Sequence, residues 1–295
     1  MREFCTLFDR SYLNKGLSLH GSLVRHCSEP FLLHILALDD ATFWILHELE
    51  LSNVRIIRWD GFEAALNLGP VRANRTWAEY CWTCASQLVE FLLPGSGPGG
   101  VTYLDSDLFF FSDPKVAFAE IGDRSLGITP HRLIATKKHL EINGLFNVGF
   151  VFFKNDSTGR HCSQKWASQC RQRCSANIGC GDQQYLNDWP ATYQDQCCVI
   201  ENVGVNCGPW SIGNWIVTGG PRVNGAPVIC YHFHEFLDEP GGRFRLTNYN
   251  LRQDDIDLIY VPYILANREA DERILDAEAA IAIRRASAQL QGERA

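Results

Sequence analysis

No stretch of this sequence approaches the roughly 20 consecutive apolar residues that a membrane-crossing helix requires. The opening MREFCTLFDR also lacks the basic start, long apolar run and small-residue cleavage site of a secretory leader. A cytoplasmic protein is therefore expected, free or peripheral at the inner face of the membrane. Basic charge is in short supply: 27 Lys and Arg stand against 34 Asp and Glu, a formal net charge of −7. Nucleic acid, which calls for a basic face, is not an expected partner. Internal repeats and a convincing linker are missing too, so residues 1–295 are read as a single domain. What remains is an ordinary globular balance, 46% hydrophobic and 21% charged residues, together with twelve cysteines. In a reducing compartment most of these are expected to be small buried hydrophobes. The group Cys162, Cys170, Cys174, Cys180, Cys197 and Cys198 has metal-binding chemistry, but its spacings fit no regular zinc finger or ribbon.

Short apolar strands alternate with helical stretches. EFCTLFD reads as a strand, LNKGLSLHGSLVRHC as a helix, and FLLHILALDD as a strand buried on both faces. ATFWILHELE returns to helix, NVRIIRW to strand, and RTWAEYCWTCASQLVEFLL is a long helix running into the turn-rich PGSGPGG before VTYLD. LFNVGFVFFKN and PVICYHFHEF are expected strands, and a helix from about Ile264 to Leu290 ends the chain. This alternation predicts an α/β fold: a mostly parallel central sheet flanked by helices, with a C-terminal helix. Ligands on such sheets gather at the carboxyl ends of the strands, where Asp9, Asp39, Asp40 and Asp105 fall. The C-terminal helix is expected to dock on its own domain, because basic residues do not dominate its polar face.

VTYLDSDLFFFSDP interrupts an apolar run with two acids. Residues two apart in an extended backbone point the same way, so Asp105 and Asp107 can converge on one cation while Ser106 turns aside. A capped turn or exposed loop is the plain alternative for Asp-x-Asp. Against it, apolar sequence on both sides pins this turn, and two unpaired acids there would be costly without a counter-charge. A hard divalent cation that keeps positions for phosphate oxygens and water meets that need. CYHFHEF sets His232 and His234 on one side of a predicted strand; an ordinary hydrogen-bonded pair is the alternative. An imidazole joining two carboxylates favours manganese over magnesium or calcium.

Taken in order, TLFDRSYLNKGLSLHGSL, VTYLDSDLFFFSDP, FNVGFVFFKN, GDQQYLND and YHFHEF resemble the GT-A glycosyltransferases. More closely, the chain is similar to the retaining glycogenin and lipopolysaccharide galactosyltransferase-like family and its bacterial nucleotide-diphospho-sugar transferases. The likeness covers about residues 3–240. It implies a GT-A, Rossmann-like catalytic core over about 1–240, with 241–295 as an extension carrying the helix. It further implies a nucleotide-sugar donor, with uridine diphosphate favoured, a glycan or other hydroxyl acceptor, and Mn2+ or Mg2+. By that resemblance Asp105, Asp107 and His232 bind the metal, and Ser106 joins the donor contacts. Thr6, Phe8, Asp9 and Tyr12 hold the nucleoside, although Asp9 could simply cap a turn. Asn147 and Gly149 lie under donor sugar and acceptor, although Gly149 could serve close packing. Asp182 and Gln183 flank the reacting carbon, with a helix N-cap as the alternative for Asp182. His234 is a phosphate or acceptor contact, and Asn214 lies in a donor-side loop.

The resemblance fails at two places. EFLDEPGGRFR replaces the family's Gly and Lys-Pro-Trp after the histidine, so Arg243 or Arg245 would have to supply the diphosphate cation. Tyr80-Cys81-Trp82 replaces Tyr-Ala-Arg, leaving Arg75 as the substitute donor arginine. The expected chemistry is metal-assisted transfer of a sugar with retention. Two other classes share some of these features: a metal-dependent nucleotide-sugar hydrolase with the same acids, and a non-catalytic carbohydrate-binding protein suggested by eight tryptophans and the long helix.

Overall fold

The computed structural model of the chain describes residues 1–177, 181–239 and 243–292. The apolar runs form strands β1 (Arg2–Phe8), β2 (Phe31–Ala37), β3 (Val54–Arg58), β4 (Val101–Leu104), β5 (Leu108–Phe110), β6 (Leu126–Pro130), β7 (Phe146–Phe153) and β8 (Cys197–Val199). All but β5 join one seven-stranded sheet in the order β3-β2-β1-β4-β7-β6-β8. Strand β7 runs antiparallel to β4 and β6, and the other pairings are parallel. The mostly parallel α/β sheet is as expected.

Period-two alternation splits β1 between two cores. Phe4 and Phe8 face the helix Leu13–His26, meeting Leu17 and Leu23, whereas Cys5 and Leu7 face the helix Trp77–Leu92, meeting Cys84 and Leu88. Both faces are therefore apolar, and β4 and β7 are buried along their whole length. Helix starts are set by side chains. Thr76 and Glu79 form a capping box ahead of Trp77–Leu92. Asp39 accepts the Thr42 N–H at 2.7 Å to cap the helix Asp40–Leu49, and also accepts the Arg10 N–H at 2.7 Å. The acids at the end of β2 are thus structural, with Asp40 paired to Arg58 at 2.8 Å.

A third apolar cluster lies beyond the sheet. Strands β9 (Val217–Thr218), β10 (Arg222–Val223) and β11 (Ala226–Pro227) make a small meander, and β12 (Cys230–His232) pairs antiparallel with β5. A hairpin of β13 (Leu237–Glu239) and β14 (Arg243–Arg245) follows. Phe233 stacks on Tyr263 here, with ring centroids 3.6 Å apart. The C-terminal helix spans Val261–Gly292, a little longer than expected. It docks on the domain through Ala270, Ile274 and Ala277, next to the helices Leu13–His26 and Asp40–Leu49. Arg10 pairs with Glu278 at 2.9 Å and Arg284 with Glu48. Among the described residues no helix is long and apolar enough to cross a membrane. The described cysteines are unbridged and mostly buried, with Cys5, Cys84 and Cys207 thiols pushed up by burial; Cys180 lies outside the described residues.

The face of the C-terminal helix can be tested by neighbouring truncations. Ile274, 1% exposed, should cost about 2–4 kcal/mol on Ile274→Ala. Leu275, 63% exposed, should cost less than about 0.5 kcal/mol on Leu275→Ala. Urea unfolding of both variants reads the difference.

Candidate functional site

Strand β4 delivers Asp105 and β5 follows Asp107, so the two acids occupy a turn between buried strands. Backbone bonds fix it from three directions: Asp105 N–H donates to Gly149 O (3.1 Å), Leu108 N–H to Asp105 O (3.1 Å), and Phe233 N–H to Asp107 O (2.9 Å). The β5–β12 pairing sets His232 opposite Leu108. Its Nε2 lies 3.1 Å from Asp107 Oδ1 and 3.7 Å from Asp105 Oδ2. One ligand atom from each of the three residues falls within 4.8 Å of the others, and among the described residues this is the one such group. Two carboxylates and an imidazole are a donor set suited to a divalent transition metal. This is a candidate metal site.

The ring is oriented from behind. His232 Nδ1 lies 3.2 Å from Asn147 Oδ1, which also accepts the Gly149 N–H at 2.8 Å. Gly149 has no room for a side chain: a Cβ there would sit 2.6 Å from His232 Nδ1 and 2.7 Å from Asn147 Oδ1. Tyr103 O–H donates to Asp105 Oδ1 at 2.9 Å.

A cavity of about 490 Å³ opens over these residues at the carboxyl ends of the strands. The sequence-expected residues Phe8, Asp9, Tyr12, Asp105, Ser106, Asp107, Asn147, Asp182, Gln183, His232 and His234 all line it. Asp9 is bound by the Ser11 N–H at 2.9 Å and by Trp77 Nε1–H at 2.7 Å, so it caps the turn and faces the cavity together. Asp182 caps the short helix Gln183–Asp188 by accepting the Gln183 N–H at 2.8 Å. Gln183 Nε2–H donates to Asn143 O at 2.8 Å.

Other expected residues lie away from the cavity or reach it differently. Thr6, Arg75 and Asn214 are not among the lining residues. Thr6 is fully buried in the middle of β1. Arg75, just ahead of a helix, turns its guanidinium to the Thr83 hydroxyl and to Arg171 O (2.8 Å). Asn214 donates to Arg132 O at 2.8 Å and faces a neighbouring depression. Arg243 and Arg245 lie on β14, exposed and outside the lining. His234 does line the cavity, but not from a strand: β12 ends at His232, and a turn with Glu235 at φ 64° follows. Trp210 packs edge-on between the two imidazoles, 5.1 Å from His232 and 5.7 Å from His234.

Electrostatically the cavity is acidic. Asp9, Asp105, Asp107 and Asp182 line it, and among the described residues no lysine or arginine does. Burial raises the Asp105 carboxyl. At Asp107 the desolvation is outweighed by the His232 charge and hydrogen bond, which hold it below the ordinary carboxylate value. His232 is raised, its burial outweighed by Asp107 and Asp105. Burial and the neighbouring Asp105 charge push Asp182 up to about 7, whereas burial and His232 push His131 down to about 4. A buried cation that acts on Asp107 is Lys15, whose Nζ–H donates to Phe236 O at 2.8 Å and lies 3.9 Å from the Tyr12 ring centre. Sequence reasoning missed Trp77, Tyr103, Trp210 and Lys15. Tyr103 and Lys15 follow the periodicity of their elements, and Trp210, in the four-residue helix Pro209–Ile212, carries no local signal.

No family model matches the chain. It is 30% identical over 275 residues to the uncharacterised protein YfnD of Bacillus subtilis (strain 168), covering 89% of this chain and 88% of that protein. It is 29% identical over 246 residues to the uncharacterised YfnF of the same organism, covering 78% and 80%. Among solved structures it is similar to the galactosyltransferase LgtC in complex with donor and acceptor sugar analogues, at a TM-score of 0.57, 15% identity, and coverage of 90% of this chain and 95% of that one. The glycosyltransferase GlyE of Streptococcus pneumoniae TIGR4 gives a TM-score of 0.53 at 17% identity; the chain spans 63% of its length, and 91% of this chain is covered. The fold is therefore the LgtC-like GT-A fold.

Two variants test this geometry. Gly149→Ala pushes a methyl into the His232–Asn147 contact and should destabilise by about 1–3 kcal/mol in thermal unfolding, as overpacking does. Asp182 binds a proton more tightly folded than unfolded, since its folded value of about 7 exceeds the unfolded carboxylate's ~3.9. It is neutral in both states at low pH, and its ionisation penalty grows as pH rises from ~4 to ~7. The stability difference between Asp182→Asn and wild type, measured by urea on metal-free protein, should grow in the variant's favour by roughly 1 kcal/mol per pH unit across that window.

Proposed function

The chain belongs to the family of the uncharacterised Bacillus subtilis protein YfnD, and we propose that it is a metal-dependent glycosyltransferase. In this reading it moves a sugar from a nucleotide diphosphate, with uridine diphosphate the favoured carrier, to a hydroxyl of a glycan or other acceptor, retaining the anomeric configuration. The observation that carries the reading is the Asp105–Asp107–His232 group on the floor of a cavity at the strand ends of a GT-A fold.

Charge makes the case for a metal. A diphosphate entering a cavity lined by four aspartates and no described lysine or arginine is repelled unless a cation comes with it. Asp105, Asp107 and His232 would hold Mn2+ or Mg2+, which supplies a Lewis acid for the charge that develops on the departing diphosphate. The chain's own residues do the rest. Asp9, Phe8 and Tyr12 line the side of the cavity suited to the base. Gln183, its amide nitrogen occupied by Asn143 O, offers a carbonyl oxygen to a carbon gaining positive charge. Asp182, poised near neutrality by burial, orients the sugar. Asn147 steadies His232. The far side, with His131, Trp210, His234 and Tyr249, is left for the acceptor.

Turnover of a nucleotide-sugar panel with Mn2+ tests the reading. Asp105→Asn and Asp107→Asn should each lower transfer by about two orders of magnitude or more, as loss of several kcal/mol of electrostatic stabilisation implies. Chelator should abolish both turnover and nucleotide binding. Proton NMR should show an α-linked product from an α-linked donor. Full activity in chelator would overturn the metal assignment, a β-linked product would overturn retention and make Asp182 the base, and donor turnover that ignores every acceptor would make the protein a hydrolase.

A further inference from the structure

Asn206 belongs to no motif and contacts no expected substrate, yet it is 1% exposed in the loop between β8 and β9, at φ 53°. Its role follows from the direction of hydrogen bonds that need no hydrogen to be seen. A backbone N–H can only donate, so the Asn147 atom 2.8 Å from Gly149 N is the amide oxygen. The Asn206 atom 2.9 Å from that oxygen must then be its nitrogen, whose other hydrogen goes to Thr129 Oγ1 at 2.7 Å. The His232 nitrogen 3.2 Å from the same oxygen must carry a proton, so Nδ1 is N–H; Nε2, 3.1 Å from Asp107 Oδ1, donates to that carboxylate in the metal-free protein and is the nitrogen that gives up its proton to ligate a cation. Three donors thus converge on Asn147 Oδ1.

The arrangement has a cost that identifies it. Asn206 Oδ1 is buried without a hydrogen-bond partner. Flipping the Asn206 amide would offer that oxygen to the Thr129 hydroxyl, but would press it against Asn147 Oδ1. The pose observed keeps the orphan and holds Asn147. The group closes on Gly149, where a Cβ would come within 2.6 Å of His232 Nδ1, 2.7 Å of Asn147 Oδ1 and 2.8 Å of Asn206 Oδ1.

We infer that Asn206 is a positioning residue for the cation site: acting through Asn147, it holds His232 in the tautomer and ring orientation whose Nε2 can ligate a divalent cation. The inference rests on the metal reading above. Partners of this kind, one step behind a ligating histidine, fix its tautomer and raise its basicity.

Two substitutions at Asn206 separate orientation from mere packing. Asn206→Asp places a carboxylate oxygen against Asn147 Oδ1 and should turn the Asn147 amide, presenting its NH2 to His232 Nδ1, removing the Nδ1 proton and leaving the ring proton on Nε2. Asn206→Ala deletes the donor without adding charge. Calorimetric titration with Mn2+ should show affinity reduced 10–100-fold in Asn206→Asp and by less in Asn206→Ala. In histidine-labelled, metal-free protein, the His232 Nδ1–H should be protected from exchange in wild type and lose that protection in Asn206→Asp. Should Asn206→Asp not fold by circular dichroism, Asn206→Ala is read in the same two assays. Unchanged Mn2+ affinity with an unchanged Nδ1–H in a folded Asn206 variant overturns the inference. A protected Nδ1–H in a wild type that binds no Mn2+ overturns the metal reading, and with it the cation role of Asn206.

Discussion

Asp105 and Asp107 are like charges held side by side by a turn that cannot relax. Their repulsion is the constraint around which the rest of the site is organised. Backbone bonds to Gly149 and Phe233 lock the turn between β4 and β5, so the backbone that carries both acids cannot move apart without breaking them. The fold answers the repulsion with His232, delivered on β12 by the β5 register and held above its ordinary value by the two acids. A protonated imidazole can balance one carboxylate. In the proposed reading, balancing two together with a diphosphate takes a divalent cation, and the LgtC-like fold opens its cavity on that spot.

What surrounds the acids is correspondingly poor in fixed positive charge. The lysine that the resembled family carries after the histidine is absent from this sequence, and among the described residues neither Arg243, Arg245 nor Arg75 lines the cavity. Lys15 lies close behind, but its ammonium is seated on the Phe236 carbonyl and the Tyr12 ring, ordering the turn that carries His234. In a site of this composition, nucleotide affinity and metal affinity should be one quantity rather than two. That coupling distinguishes the proposed transferase from a protein that recognises sugars through its aromatic side chains alone.

The half of the protein built from repeated periodicity was legible in the sequence. Strands buried on both faces announce themselves as continuous apolar runs, and β1, β2, β4 and β7 fall where those runs lie. Asp-x-Asp was readable as a charged interruption of an apolar run, but the two acids are brought together by a turn closed from Leu108 N–H to Asp105 O and not by the extended backbone that was expected. His234 was assigned to a strand because alternation continues through CYHFHEF. The Phe233 N–H, however, bonds to Asp107 O instead of extending the ladder, and the chain turns. Arg75 was expected at the donor because a cation was wanted there, but its position before the capping box of Trp77–Leu92 turns it to Thr83. Asn206 comes from a loop and Trp210 from the short helix Pro209–Ile212, both placed by tertiary packing, and nothing local in GVNCGPW reports that an amide ends up against Asn147 and an indole against His232.

The coordination itself is the most direct thing to measure. Pulsed electron paramagnetic resonance of the protein with one equivalent of Mn2+ and uridine diphosphate reports which nuclei touch the ion. Coupling to one imidazole nitrogen, lost in His232→Ala, together with coupling to phosphorus of the diphosphate, is the predicted result. A spectrum showing Mn2+ surrounded by water protons alone, with neither nitrogen nor phosphorus coupling, would contradict the assignment of Asp105, Asp107 and His232 as a metal–diphosphate site.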